Sequence, residues 1–187
     1  MKFFFISFFI PLFIFAAHLD ALPAQVILIR HAEKPEQGNV LSTKGRERAA
    51  ALAPYFAETD YLTTHGTPAA IYAMSAPKGD SSLRAIETVT PLADQLKITI
   101  KDSIERDNYR KMVEEIKSSP TYHGKTILIC WEHKLIPEIA RAFGALQTPG
   151  RWPPSVYDRT WVISFDSSGK PTFQNHAQRL MYGDSIN

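Results

Sequence analysis

The chain reads Val26-Ile27-Leu28-Ile29 and continues at once with Arg30-His31. A short run of β-branched and aliphatic residues predicts a buried strand of the kind found in α/β sheets. Ligands of such sheets bind at the carboxyl ends of the strands, which is where Arg30 and His31 would lie. Arginine offers a fork of donors suited to phosphate, and histidine can act as a nucleophile or a proton carrier. The stretch therefore points to phosphate chemistry at one edge of a sheet.

Apolar runs and helical patterns alternate along the chain after this first strand. They predict strands at 25–29, 69–74, 96–100 and 126–131, helices at about 43–56, 80–96, 108–117 and 135–143, and a terminal hairpin of 160–165 and 171–175. Asp80, Ser81 or Ser82 is expected to open the second helix, with Leu83 facing inward. The alternation predicts an α/β fold, a three-layer α/β/α sandwich with a mostly parallel sheet covered on both faces.

Residues 1–24 have the layout of a secretory signal. One lysine precedes an almost wholly apolar run at 3–17, which is short for a membrane span. Cleavage after Ala21 or Ala24 would leave a small residue at the end of the signal. We expect an exported protein, periplasmic or secreted, with the signal ending near Ala24 and a mature domain at 25–187. An uncleaved N-terminal membrane anchor is the alternative.

Composition limits the partners of the mature chain. Removal of 24 residues from 187 leaves 163, the size of one ordinary domain. The formal net charge of +2 is unchanged by the cut, because one lysine and one aspartate are lost together. So small an excess of positive charge argues against nucleic-acid binding. We also expect no membrane contact after the signal is removed. Cys130 is the one cysteine, so neither an internal disulfide nor a cysteine-based zinc site can form.

Charged and titratable residues follow several of the predicted strands. Arg30 and His31 close the first strand, Arg84 lies in the first turn of the helix after the second, and Glu132-His133 closes the strand at 126–131. Parallel strands bring these ends to one sheet edge, so two arginines and two histidines can converge there. The guanidinium groups would neutralise a phosphoryl group while one imidazole attacks it. The same cations would lower the imidazole pKa and keep His31 neutral.

Four motifs in order resemble the histidine phosphatase superfamily, also called the phosphoglycerate mutase-like family. That family has an Arg-His pair closing the first strand, a Leu-Ser/Thr-x-x-Gly helix start, a Ser-x-x-x-x-Arg-Ala-x-x-Thr segment and a second strand-closing histidine. The matching residues here are Arg30-His31, Leu41-Ser42-Thr43-Lys44-Gly45, Ser81-Ser82-Leu83-Arg84-Ala85-Ile86-Glu87-Thr88, and His133. They span residues 25 to about 143, which is most of the mature domain.

The resemblance implies a phosphoglycerate mutase-like fold and a phosphatase that needs neither metal nor cofactor. His31 would be the nucleophile and would carry a covalent phosphoryl group that water then removes. Arg30, Arg84 and His133 would form the phosphate pocket and bind the substrate, a small phosphorylated compound. Mutase activity is disfavoured, because the short interval from Arg84 to His133 leaves little room for the insertions that enclose a phosphoglycerate.

The general acid is open between two glutamates. Glu105 heads Glu105-Arg106-Asp107-Asn108-Tyr109, which resembles the Glu-Arg-x-x-Tyr setting of mutases, and it is our first choice. Glu132, directly before His133, is the alternative acid. Acid phosphatases of the other branch place an acidic residue directly after the second histidine, and this chain has Lys134 there. That departure places the chain outside the His-Asp pattern.

Other functions compete with this one. A non-catalytic phosphate-ligand binding protein would keep the pocket but lack a competent acid, and a phosphohistidine protein phosphatase would need no dedicated acid, although export argues against it. His31-Ala32-Glu33 matches the His-x-Glu of zinc deaminases, but the required Pro-Cys-x-x-Cys is absent from a chain with one cysteine. No Walker-type phosphate loop is present. The charges of the first helix, at Lys44, Arg46, Glu47 and Arg48, indicate an exposed face.

Overall fold

The computed structural model describes residues 22–79 and 81–185 as an alternation of strands and helices. The strands are β1 (Gln25–Arg30), β2 (Pro68–Ala73), β3 (Thr126–Trp131), β4 (Arg159–Phe165) and β5 (Pro171–Ala177). The helices are α1 (Thr43–Glu58), α2 (Asp60–Thr63), α3 (Arg84–Leu96), α4 (Tyr109–Ser118) and α5 (Ile136–Ala142), with 3-10 turns at Arg106–Asn108 and Pro120–Tyr122. Most of the expected signal segment, residues 1–21, lies outside the described residues, as does Asp80.

The five strands form one mixed sheet in the order β2-β3-β1-β4-β5. β3 pairs in parallel with both β1 and β2, whereas β4 runs antiparallel to both β1 and β5. The α/β class is thus confirmed, but the sheet is mixed rather than mostly parallel. The short connection explains the β4–β5 pair, because a tight turn joins only antiparallel strands, and the further difference is that β4 also enters the sheet antiparallel to β1.

The sheet lies between two helical layers. All six residues of β1 and all six of β3 are buried, so both faces of these central strands are covered. α1 packs against α3, and α4 packs against α5. Ala49, Leu52, Ala53 and Phe56 form the buried stripe of α1, and Ser42 caps it by accepting a hydrogen bond from the Gly45 amide.

Two predicted elements are wrong in detail. The strand expected at 96–100 is absent: Leu96 ends α3, Lys97 takes a left-handed conformation, and one isolated bridge joins Lys101 to β2. The second helix begins at Arg84, later than expected, and Leu83 before it is 38% exposed. Both errors have one cause, since an apolar residue beside a helix end fits several structures until tertiary contacts decide among them.

The segment directly before β1 is already part of the folded domain. The Gly124 amide donates to the Leu22 carbonyl, and the Ala24 amide donates to the Lys125 carbonyl. The Ala24 carbonyl also accepts from the Phe165 amide at 3.0 Å. These bonds hold residues 22–24 against the segment before β3 and against the end of β4. Within 22–79 and 81–185, no helix is both long and apolar enough to span a membrane.

Candidate active site

The carboxyl ends of β1 and β3 lie side by side. In the parallel register Arg30 is opposite Trp131, and the ladder continues one residue further because the His31 amide donates to the Trp131 carbonyl. β2 joins on the other side of β3, with Ala73 opposite Cys130. Arg30, His31, Glu132 and His133 therefore leave the sheet at one edge, as the strand-end pattern predicted.

Arg30 is 3% exposed and is held by the loop before β4. Its Nη1 donates to the carbonyls of Pro154 and Val156, at 2.7 and 2.8 Å. The Tyr157 ring covers the guanidinium, whose carbon lies 3.7 Å from the ring centroid. Nε of Arg30 is buried and has no hydrogen-bond partner. Burial lowers the Arg30 pKa, and the charges of nearby tyrosine and glutamate side chains oppose that shift only in part.

His31 is 5% exposed, and its ring is oriented by the chain itself. Nδ1 lies 2.8 Å from the Ala32 carbonyl oxygen. A carbonyl can only accept, so Nδ1 carries the proton and Nε2 carries the lone pair. Burial lowers the His31 pKa to about 4, the Ala32 hydrogen bond opposes this, and the charges of Arg30, Arg84 and His133 lower it further. His31 is therefore a neutral imidazole near pH 7, with a free nitrogen among cations.

Arg84 lies at the first position of α3, within electrostatic reach of His31. Its Nε donates to the Val40 carbonyl at 3.2 Å, and its Nη2 donates to the Gly38 carbonyl. The loop before α1 thus fixes the guanidinium through two backbone oxygens, and Nη1 forms no hydrogen bond with the described residues. The structure brings Arg84 to the same edge as Arg30 and His31.

His133 and Glu132 form a half-buried pair just past β3. His133 Nδ1 lies 3.2 Å from Glu132 Oε1, a charge contact that lacks the direction of a hydrogen bond. Glu132 Oε2 is also 3.4 Å from Arg106 Nε. Burial lowers the His133 pKa, and the charge of Arg30 acts in the same direction while Glu132 opposes both. The Glu132 carboxylate thus contacts both the Arg106 guanidinium and the His133 imidazole.

Glu105 lies at the same edge but in a different setting. The Ile104 carbonyl before it accepts from the Ser75 amide after β2, and the Arg106 carbonyl behind it accepts from Trp131 Nε1 at the end of β3. Both flanking residues are therefore anchored to strand ends. The Glu105 side chain is exposed and forms no hydrogen bond or ion pair with the described residues.

Two of the quoted motifs hold the loop that follows His31. A Cβ on Gly45 would lie 2.3 Å from the Glu33 carbonyl oxygen, so only glycine allows α1 to approach this closely. The Glu33 carbonyl accepts from the Ser42 amide at 2.9 Å. On the other side, Thr88 Oγ1 accepts from the Ala32 amide at 2.8 Å. These contacts explain why the Gly and Thr positions of the motifs accompany the Arg-His pair.

A buried ion-pair network lies beside this loop and corrects the sequence prediction for Arg48. Arg48 is 2% exposed rather than part of a solvated face, whereas Lys44, Arg46 and Glu47 are exposed as expected. Its guanidinium binds Glu33 Oε1 at 2.8 Å, Asp184 Oδ1 at 2.6 Å and Gln178 Oε1 at 3.1 Å. The Glu33 carboxylate is thus tied to Arg48.

The cluster as a whole offers donors to an anion. Among the described residues, three buried side-chain polar atoms lack a hydrogen-bond partner, namely Arg30 Nε, His133 Nδ1 and Ser82 Oγ. Two of the three belong to this cluster, although buried donors are almost always paired in proteins. A phosphoryl group between the arginines and histidines would accept from such donors and neutralise their charge. Within the described residues, no three His, Cys, Asp or Glu side chains are grouped to hold a metal ion.

Sequence reasoning missed the residues that position the cluster. Tyr157 covers Arg30 and lies 6.1 Å from the His31 ring between centroids, whereas the sequence indicated only that it could wall a substrate cleft or belong to the core. Thr88 stood inside a quoted motif, but its bond to the His31 loop could not be foreseen. Arg106 was recognised as part of a local pattern, and its contact with Glu132 joins positions 26 residues apart.

Comparison with known proteins gives structural matches only. No protein-family model matches the sequence, and no curated protein is similar to it by sequence. A protein histidine phosphatase SixA solved with tungstate is 15% identical, with a TM-score of 0.55 over 82% of this chain and 97% of that one. A mycobacterial glucosyl-3-phosphoglycerate phosphatase solved with VO3 is 14% identical, with a TM-score of 0.53 over 84% and 100%.

A phosphoglycerate mutase from Plasmodium falciparum is also similar in structure. It is 13% identical, with a TM-score of 0.55 over 87% of this chain and 96% of that one. These identities are too low to carry an activity from one protein to another, but the matches extend over most of each chain. The protein therefore shares the fold of these two phosphatases and this mutase, which is the fold that the motifs around Arg30-His31, Gly45, Arg84 and His133 predicted.

Proposed function

We propose that this protein is a phosphatase that hydrolyses a phosphomonoester through a phosphohistidine on His31, without a metal ion. One observation carries the proposal: a neutral His31 with its Nε2 lone pair free lies among Arg30, Arg84 and His133, and Arg30 Nε is buried without a partner. Such a cluster binds a phosphoryl group and presents a nucleophile to it.

In the first step, His31 Nε2 attacks phosphorus. The nitrogen–phosphorus bond forms as the bond from phosphorus to the leaving oxygen breaks, and the leaving alcohol takes a proton from a carboxylic acid. Arg30 and Arg84 offset the charge on the phosphoryl oxygens, and the Ala32 carbonyl stabilises the positive charge that develops on the ring through Nδ1–H.

In the second step, water attacks the phosphohistidine. The carboxylate formed in the first step accepts a proton from this water, the phosphorus–nitrogen bond breaks, and inorganic phosphate leaves. The ring returns to its neutral form, which is favoured because burial lowers the His31 pKa. The cycle leaves His31 and the acid as they began.

We propose Glu105 as the acid and Glu132 as a residue that holds His133. Glu132 contacts both Arg106 and His133, so its carboxylate already has two partners in the protein. Glu105 has no such partner, and its neighbours Ile104 and Arg106 are bonded to the ends of the sheet that carries His31. A carboxyl in this position is free to meet the leaving oxygen of a bound substrate.

The central test is hydrolysis of p-nitrophenyl phosphate by the mature protein at pH 4 to 8, with and without a chelator. We expect turnover that the chelator does not change and that His31→Ala reduces by about 10⁴-fold or more. His65→Ala, at an exposed histidine outside the cluster, serves as the matched control. Absence of turnover on a broad phosphoester panel would favour the non-catalytic binding protein instead.

The acid is tested with esters whose leaving alcohols differ in acidity. Glu105→Gln should slow the esters of weakly acidic alcohols most, because only these need a proton to leave. Glu132→Gln should slow all esters to the same small extent. The opposite result would make Glu132 the acid, and a Glu105→Gln protein that still hydrolyses a phosphohistidine peptide at full rate would favour the phosphohistidine phosphatase alternative.

We also propose that the protein is exported and that its signal is cleaved after Ala21 rather than after Ala24. The backbone bonds of Leu22 to Gly124 and of Ala24 to Lys125 and Phe165 support this choice, since a cut after Ala24 would remove all of them. The N-terminal residue of the protein recovered from outside the cytoplasm, read by mass spectrometry, tests both points. A mature chain that begins with Gln25, or an uncut chain, would contradict the cleavage after Ala21.

A further inference from the structure

A cavity of about 260 Å³ lies directly beside the proposed phosphate pocket. It is lined by His133, Lys134, Gly150, Arg151, Trp152 and Pro154. His133 thus borders both the cavity and the pocket, and the Pro154 carbonyl is one of the two that hold Arg30. A ligand whose phosphoryl group binds between the arginines could therefore extend into this cavity.

The wall of the cavity is fixed to the same loop as Arg30. Trp152 is 2% exposed, and its Nε1 donates to the Val156 carbonyl at 2.9 Å. Val156 in turn accepts from Arg30 Nη1. Arg151 is the neighbour of Trp152 in this loop, and its side chain is exposed.

The cavity has an uncompensated positive charge. Lys134 and Arg151 line it, and both are exposed. No carboxylate of the described residues lies within 4.0 Å of either, or of Lys34 on the neighbouring loop. The charges of Lys134 and Lys34 both act on His133, which places them near the mouth of the site. In the acid phosphatases of the other branch, an acidic residue follows the second histidine, and such a residue would repel an anion. This chain has Lys134 at that position.

We propose that this cavity binds a second anionic group, a carboxylate or a second phosphate, on the leaving alcohol of the substrate. The inference rests on the proposed phosphatase function, because the position of the subsite is defined relative to the phosphoryl group on His31. The cavity is small, so it suits one such group on a short alcohol. Lys134 and Arg151 supply the charge, and among the described residues no carboxylate lies within 4.0 Å of either cation to compete with the anion.

The kinetic test compares phenyl phosphate with 3-carboxyphenyl phosphate, whose leaving phenols are of similar acidity. The carboxylated ester should have a roughly tenfold higher kcat/KM, mainly through KM, because the subsite binds ground state and transition state alike. Lys134→Met and Arg151→Met should each lower this preference by up to about fivefold. Lys125→Met, at an exposed lysine before β3 on the opposite end of the sheet, should leave it unchanged.

A binding test separates the subsite from the reaction. Calorimetry compares propylphosphonate with 3-phosphonopropionate and propane-1,3-diphosphonate, none of which can be hydrolysed. Tighter binding of one or both ligands that carry a second anionic group supports the subsite, provided that the gain is lost in Lys134→Met but not in Lys125→Met. The ligand that gains shows whether the subsite prefers a carboxylate or a phosphate. This result holds even if neither ester is hydrolysed. Equal binding of all three, with equal hydrolysis of both esters, overturns the subsite and leaves the phosphatase standing.

Discussion

Arg30 and Arg48 are both buried, but they differ in the partners of their guanidinium groups and in the direction of their pKa shifts. All three guanidinium nitrogens of Arg48 donate hydrogen bonds, and their acceptors are Glu33, Asp184 and Gln178. The two carboxylates lie within 2.8 Å. Arg30 binds two backbone carbonyls, forms no ion pair with the described residues, and keeps a buried Nε without a partner. Burial acts to lower the Arg48 pKa, but the bonds to Asp184 and Glu33 outweigh it and raise that pKa, whereas the Arg30 pKa is lowered.

The difference separates a structural charge from a functional one. A buried cation with a full set of acceptors joins distant parts of the chain, and here Arg48 ties α1 to the loop after His31 and to Asp184 near the end of the described chain. A buried cation with an unbonded N–H group can still donate a hydrogen bond to an anionic ligand. Arg48 therefore serves the fold, and Arg30 is the residue to expect in a phosphate pocket.

The largest expected effect on stability is that of Arg48→Met. It leaves Glu33 and Asp184 buried without their partner, so the free energy of unfolding should fall by about 3–5 kcal/mol. Urea unfolding measures it, with Arg46→Met on the exposed face of the same helix as control. A variant as stable as the parent would mean that the network does not form in solution.

Arg30→Met should show the opposite pattern. Loss of a charged donor to the transition state should lower kcat by about 10²–10³-fold, equivalent to about 2.7–4 kcal/mol. Stability should fall less than in Arg48→Met, because Arg30 is bonded to two backbone carbonyls and its loss leaves no buried carboxylate without a partner. Steady-state kinetics measures the change in kcat, and urea unfolding of the same preparation measures the change in the free energy of unfolding. Loss of stability without loss of activity would reverse the roles assigned to the two arginines.

The His31 pKa predicts how stability depends on pH. His31 has a pKa of about 4 in the folded protein, below its ordinary value near 6.5, so the unfolded chain binds its proton first as the pH falls. The free energy of unfolding should therefore decrease between pH 6.5 and pH 4, with His31 contributing about 2 kcal/mol of the loss by pH 4.5. His31→Asn should lose correspondingly less between pH 7 and 4.5. Equal losses in both proteins would refute the lowered pKa.

The smallest effect is expected from Glu132→Gln. The Glu132 charge raises the His133 pKa against burial and Arg30, so its removal should lower that pKa further. The accompanying loss in kcat/KM should stay below about fivefold, as for other half-exposed ion pairs. Imidazole NMR titration measures the shift, and Glu138→Gln on α5 is the control. An unchanged His133 pKa would show that the two side chains do not meet in solution.

Local patterns were enough to predict much of the fold. β1 and β3 are uninterrupted apolar runs, and α1 has both a cap at Ser42 and a regular buried stripe. The segment at 96–100 was misread because five alternating residues suit an edge strand as well as a loop. The direction of β4 could not be read either, since strand polarity within a sheet depends on which neighbour a strand meets.

The chain's own order of residues determined where chemistry could occur. Arg30-His31, Arg84 and His133 each follow or approach a strand end, and the rule that parallel strands share a carboxyl edge brings them together without further information. The structure places them as that rule requires, and the motif residues Gly45 and Thr88 hold the loop between them.

Only the tertiary structure decided what each charged side chain is bonded to. Arg48 looked like a solvated helix residue because its partner Asp184 lies 136 positions away, and Arg30 owes its position to carbonyls more than 120 residues further on. Sequence patterns report local periodicity and residue type, whereas the availability of a donor depends on every group that folding brings within hydrogen-bond distance. For that reason the sequence alone could name Arg30 as a candidate for the proposed pocket, but it could not show that Arg30 keeps an unbonded donor while the donors of Arg48 are all bonded.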